Sequence, residues 1–100
     1  MPVVLTSRTR VVASRNHVST TVSGEAVILG MDDGVYYGLD AVGTFVWELV
    51  KEPRSLGEVT DAIVAEFDTT PERALADLIV LATDLAGRGL IEVAPVQPTS

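Results

Sequence analysis

The feature that most constrains this chain is a change of hydrophobic period at Asp40. Before it, apolar residues recur every second position. Val18, Thr20 and Val22 alternate with Ser19, Thr21 and Ser23, the period of a half-buried strand. Ser23-Gly24 signals a turn, and Ala26-Val27-Ile28-Leu29 is a short apolar run that reads as a more central strand. Asp32-Asp33-Gly34 then predicts a hairpin, because Asp-Gly tolerates positive φ, with Val35-Tyr36-Tyr37-Gly38-Leu39 as the return strand.

After Asp40 the spacing is helical. Asp40 can cap a helix carrying Val42, Phe45, Val46, Leu49 and Val50, with Pro53 as its stop. Ser55-Leu56-Gly57-Glu58 is a capping box, followed by a stripe of Leu56, Val59, Ile63 and Phe67. Thr69-Thr70-Pro71-Glu72 opens a third helix; with Thr70 as cap, Pro71 falls at the first helical position, where its missing N–H costs nothing. Gly87 and Gly89 close it, and Leu90-Ile91-Glu92-Val93 reads as a short strand or a docked segment. Strands followed by helices give an α+β class: a three-stranded antiparallel sheet, then three helices, in a winged-helix-like arrangement. The expected organisation is one domain over residues 1–94 and a flexible tail at 95–100.

Composition narrows the function. The 100 residues hold no cysteine and one histidine, so thiolate metal sites, thiol nucleophiles and multi-histidine sites are out. His17 has no partner in the sequence that would make it a general base, and it reads as a surface histidine. Asp32-Asp33-Gly34 lacks the spaced oxygens of a calcium loop. No enzyme, metal or cofactor is expected. The formal charge is −7, and every acid lies after Gly24, so most of the surface repels nucleic acid and anionic membrane. No apolar run approaches a membrane span, and the N-terminus does not read as a signal peptide; a cytoplasmic protein is expected.

Two features point to peptide binding. At about 100° per residue, the apolar side chains of the third helix other than Ala76 and Val80 span an arc of about 160°, wider than the roughly 100° of a helix packed on one core. Arg73, Asp77 and Asp84 cluster on the remaining face. One side of so wide an arc can pack inside while the other lines an apolar groove. The return strand 35–39 is also the edge of a three-stranded meander, and it carries no Lys, Pro or inward charge to blunt it. Val35, Tyr37 and Leu39 share one face; Tyr36 and Gly38 share the other.

Gly34-Val35-Tyr36-Tyr37-Gly38-Leu39-Asp40-Ala41-Val42-Gly43, then Val46-Trp47-Glu48-Leu49, Ser55-Leu56-Gly57-Glu58-Val59 and the stretch from Asp77 to Leu90-Ile91 together resemble the PqqD-like family. These are recognition elements for ribosomally made, post-translationally modified peptides. The likeness covers about residues 10–93. Asp40 stands where the family commonly has Asn, and both cap helices. The resemblance implies a non-catalytic protein that binds a precursor's leader peptide as an added β-strand and delivers it to a leader peptidase or modifying enzyme. The chain reads as free-standing, similar to the leader-recognition proteins of lasso-peptide biosynthesis and also to PqqD-type chaperones serving a radical-SAM enzyme. By position, Val35, Tyr36, Tyr37 and Gly38 would supply backbone pairing. Leu75, Leu78, Ile79 and Ala82 would take apolar leader side chains, and Asp77 and Asp84 would steer a basic leader residue. Trp47 reads as core. A monomer is expected. The rivals are a homodimer paired through the same edge and a winged-helix DNA-binding regulator.

Overall fold

A computed structural model describes residues 5–15, 17–31 and 33–94; the expected tail at 95–100 lies outside them, as do Asn16 and Asp32. Strands β1 (Arg10–Ala13), β2 (His17–Val22), β3 (Glu25–Gly30) and β4 (Tyr36–Gly38) precede helix α1 (Ala41–Leu49). Then come β5 (Arg54–Ser55), α2 (Leu56–Glu66), α3 (Pro71–Gly87) and β6 (Ile91–Val93).

The predicted meander is present as an antiparallel sheet of order β2-β3-β4. Ser23 and Gly24 both have positive φ, 52° and 82°, which lets the β2–β3 turn close in two residues behind the Val22–Glu25 pair. The β3–β4 connection is longer. Gly30 donates to the Val35 carbonyl at 3.1 Å, so residues 31–34 form the loop, and the Asp33 carboxylate accepts from the Val35 N–H at 3.0 Å. Register sorts the sheet's two faces. Ile28 and Tyr37 are opposite one another and point inward; Val18, Leu29 and Tyr36 form a row on the outer face. Val18 and Val22 are therefore the exposed half of β2, at 55% and 56%. His17, expected at the surface, is half-buried, because as Gly30's partner it falls on the inner face; its ring meets Trp47 edge-on at 4.8 Å.

The three helix starts form as their caps dictate. Asp40 accepts from the Gly43 N–H at 2.8 Å. Ser55 and Glu58 complete a reciprocal capping box. Thr70 caps α3 with Pro71 at the first position. Helix α1 stops at Leu49, short of Pro53. Gly89, at φ +74°, ends α3: its N–H reaches the Ala86 carbonyl at 3.0 Å and the Leu90 N–H reaches Leu85 at 2.9 Å. That is the two-bond termination that needs a left-handed residue, and it turns the chain back into β6.

A second sheet, of order β5-β1-β6, is not apparent in the sequence pattern. It pairs Val11 with both Arg54 and Val93, so the chain's two ends and the start of α2 are tied together. The core lies between these sheets and the helices. Trp47, Ile28, Leu56, Leu85, Val11, Val50 and Val59 are its fully buried side chains. The Thr44 hydroxyl accepts from the Ala26 N–H at 2.8 Å and thereby anchors α1 to β3. Among the described residues no helix is long and apolar enough to cross a membrane.

Candidate functional site

Strand β4 borders its sheet: β3 lies on one side and no described strand on the other. The register decides which of its main-chain groups are free. In an antiparallel ladder, hydrogen-bonded pairs alternate with non-bonded ones. Gly30 donates to the Val35 carbonyl, and Leu39 donates to the Ala26 carbonyl at 2.9 Å. The Ile28–Tyr37 pair lies midway between these two, so it too is hydrogen-bonded. Tyr37 thus spends its ladder groups on β3, while Val35 gives its carbonyl to Gly30 and its N–H to the Asp33 carboxylate. Tyr36 and Gly38 turn theirs outward, leaving two N–H and two C=O groups along the border. This corrects the even assignment of pairing to residues 35–38; the alternation allows only every second residue.

The side chains follow the opposite parity. Tyr36 lies on the outer face and is 70% exposed. Tyr37 points inward and reaches α3, where its hydroxyl donates to the Asp84 carboxylate. Arg88 Nε meets the other Asp84 oxygen at 3.2 Å, and its guanidinium lies 4.7 Å from the Tyr37 ring centre. Donation to Asp84 raises the Tyr37 pKa above its ordinary value, with burial adding to this. The same bond, then Arg88, lowers Asp84. Asp84 is therefore already engaged, whereas Asp77, the other residue expected to steer, joins no ion pair among the described residues.

Beside Tyr37 an open groove of about 1100 Å³ runs along α3. Of the residues singled out in the sequence, Tyr37, Asp77, Ile79 and Asp84 line it. Leu78 and Ala82 do not: they are buried at 2% and 3% in the core. Leu75 is partly buried against that core and lies outside the groove. The reason is the direction of the wide apolar arc. Its middle, carrying Ala74, Leu78, Ala82 and Leu85, packs inward, so the groove opens on the side where the arc meets the charges. Val80, Leu81 and Arg88 line the groove and were not singled out. Leu81 had a usable signal: it sits at the edge of the arc next to Asp77 and Asp84.

An uncovered strand border beside a groove along a helix is an arrangement that accepts an extended peptide. The family model described as "Coenzyme PQQ synthesis protein D (PqqD)" matches residues 25–91, a span that includes β3, β4 and all three helices. The chain belongs to the PqqD family. The PqqD-like fold also appears in solved structures. One is TbiB1 in complex with the TbiA(beta) leader peptide, at 34% identity and a TM-score of 0.77, covering 85% of this chain and 99% of that one. Another is a lasso peptide synthetase B1 complexed with the leader peptide, at 17% identity and a TM-score of 0.73, covering 82% and 96%; at that identity it speaks to the fold alone. No match is found among curated proteins.

Proposed function

We propose that this PqqD-family chain is a non-catalytic recognition protein of lasso-peptide biosynthesis. It binds a precursor's leader peptide as a fourth strand beside β4 and delivers the precursor to a leader peptidase or other modifying enzyme. The observation that carries the reading is the open border, where Tyr36 and Gly38 present four main-chain groups next to the α3 groove.

The energetics say what such a leader must contain. Four strand bonds contribute about 2–6 kcal/mol at about 0.5–1.5 kcal/mol each. Ordering a flexible leader costs about 2–5 kcal/mol or more. Pairing alone therefore leaves little net affinity. Alternate side chains of an added strand fall on the inner face, the side of Tyr37, where Ile79, Val80 and Leu81 offer apolar surface. Each large leader side chain fully buried there adds about 1.5–3 kcal/mol. A leader with two apolar residues at alternate positions gains about 3–6 kcal/mol on this account, a Kd from a few millimolar to tens of micromolar, so micromolar binding calls for at least a third buried contact.

The test is a titration of the isotope-labelled chain with the leader of a candidate precursor. The expected result is slowed hydrogen exchange at the Tyr36 and Gly38 amides, with the Tyr37 amide already protected in the free protein. Binding that leaves both border amides exchanging freely would refute the added strand. Light scattering at a monomer mass in the presence of leader removes the edge-paired homodimer.

A further inference from the structure

Past the groove, the N-terminal end of α1, the C-terminal end of α2 and the flank of α3 enclose a second cavity of about 550 Å³. Its walls include Val42, Phe67 and Leu81, and three carboxylates stand among them: Asp40, Asp68 and Asp77. No lysine or arginine lines it. Asp40 uses one oxygen as the α1 cap. Asp68 and Asp77 join no ion pair among the described residues.

This lining discriminates between occupants. All three aspartates are exposed, so a purely apolar side chain would cover the walls and gain nothing from the carboxylates. An anion would meet three like charges. A cation on an apolar stem satisfies both parts, the stem lying on the walls and the head among the acids. Asp77 and Leu81 line both this cavity and the groove beside Tyr37, so a peptide seated on β4 has a continuous route into it. We propose that the cavity takes a lysine or arginine side chain of the bound leader, adjoining the segment paired with β4, and so selects leaders by a positive charge at one position. The proposal rests on the leader-recognition reading.

The experiment has two arms. In the first, benzamidine, benzamide and benzoate, which share a ring and differ in charge, are titrated into the labelled chain. Benzamidine should shift the Gly43, Asp68 and Asp77 amides and bind about fivefold more tightly than benzamide, as expected for two partly solvated charge pairs. Benzoate should shift none of them. The preference should vanish in the D68N/D77N double variant at an unchanged melting temperature. Equal binding of benzamidine and benzamide, or a preference that survives in the variant, overturns the proposal. In the second arm, each Lys and Arg of the leader is changed singly to Gln. One change should weaken binding to the wild type about fivefold and have no effect on the variant. If none does while Tyr36 and Gly38 still become protected, the cavity proposal fails and strand addition stands. If the leader fails to protect those amides at all, both readings fail.

Discussion

Two adjacent proline substitutions separate the border of β4 from its ladder. Tyr37→Pro removes an N–H that faces β3 and leaves the carbonyl of fully buried Ile28 without its donor. Such a loss costs about 1–3 kcal/mol. The half-buried ring and its bond to Asp84 go with it, for a total of about 2–5 kcal/mol. Against a total stability of about 5–15 kcal/mol, that lowers the melting temperature markedly. Gly38→Pro removes an N–H that faces outward, and a Cβ at Gly38 meets nothing within 4 Å. The free domain should lose no more than about 1 kcal/mol, since no internal bond is broken. Leader affinity should fall at least about 2- to 12-fold, the worth of one strand bond. Thermal melts followed by circular dichroism read the first quantity, and calorimetric titration with leader reads the second. A Gly38→Pro domain that melts as low as Tyr37→Pro would show the ladder parity to be reversed. Wild-type leader affinity in folded Gly38→Pro would show that the border is not where the leader pairs.

Other substitutions test other parts of the structure. Thr44→Val should destabilise the domain by about 1–3 kcal/mol in urea melts, because it leaves the Ala26 N–H without an acceptor, while leader affinity of the folded fraction stays at the wild-type value. Leu81→Asp should weaken leader binding about tenfold or more and exceed Ile79→Asp, since Leu81 lines both the groove and the cavity beyond it; helix content should be retained in both. Tyr37→Phe should raise the Asp84 pKa, read from carboxyl carbon shifts, because the Tyr37 hydroxyl is the main cause of its depression. A lowered carboxyl pKa stabilises the fold above its unfolded-state value, and that contribution is lost as pH falls through the folded value. The Tyr37→Phe domain should therefore lose less stability than wild type across that acid range. The raised phenol acts at the other end: its contribution holds below the unfolded tyrosine pKa and fades as pH rises through the folded one.

Elements whose signals are local were legible in the sequence. The Asp40, Ser55–Glu58 and Thr70–Pro71 caps depend on neighbours within one helical turn, and all three form as the spacing requires. The second sheet depends on partners far apart. Val11 pairs with Arg54 and with Val93, and a four-residue strand is too short to show a period of its own. Its members are held by such non-local bonds as Ala13 N–H to the Val50 carbonyl at 2.7 Å and Ser14 N–H to the Leu90 carbonyl at 2.9 Å. Nothing within a local window records either contact. The β2 alternation was legible as a period but not as a direction. Val18 and Val22 face out because the pair His17–Gly30 sets which half of the strand turns inward.

The binding residues divide along the same line. A strand fixes which residues share a face, but whether Tyr36 or Tyr37 turns its amide outward depends on which pair first bonds across the hairpin. Here the 31–34 loop makes Gly30–Val35 a bonded pair, and every later pair follows from that one. A loop shorter or longer by one residue would shift the register, exchange the inner and outer faces of β4, and point Tyr37 away from Asp84. The same reasoning explains the shift on α3 from Leu78 and Ala82 to Leu81. An arc of about 160° has two edges, and only the position of β4 decides which edge a strand-bound peptide meets. Tyr37 reaching Asp84 and Arg88 marks that edge, and Leu81 is the member of the arc next to those charges, with Ile79 and Val80 lining the same groove. Deleting one residue from the 31–34 loop should therefore abolish leader binding even where the domain still folds, with loss of the Tyr37–Asp84 bond read from the Asp84 titration. Retained binding in that variant would mean the border is specified by something other than the hairpin.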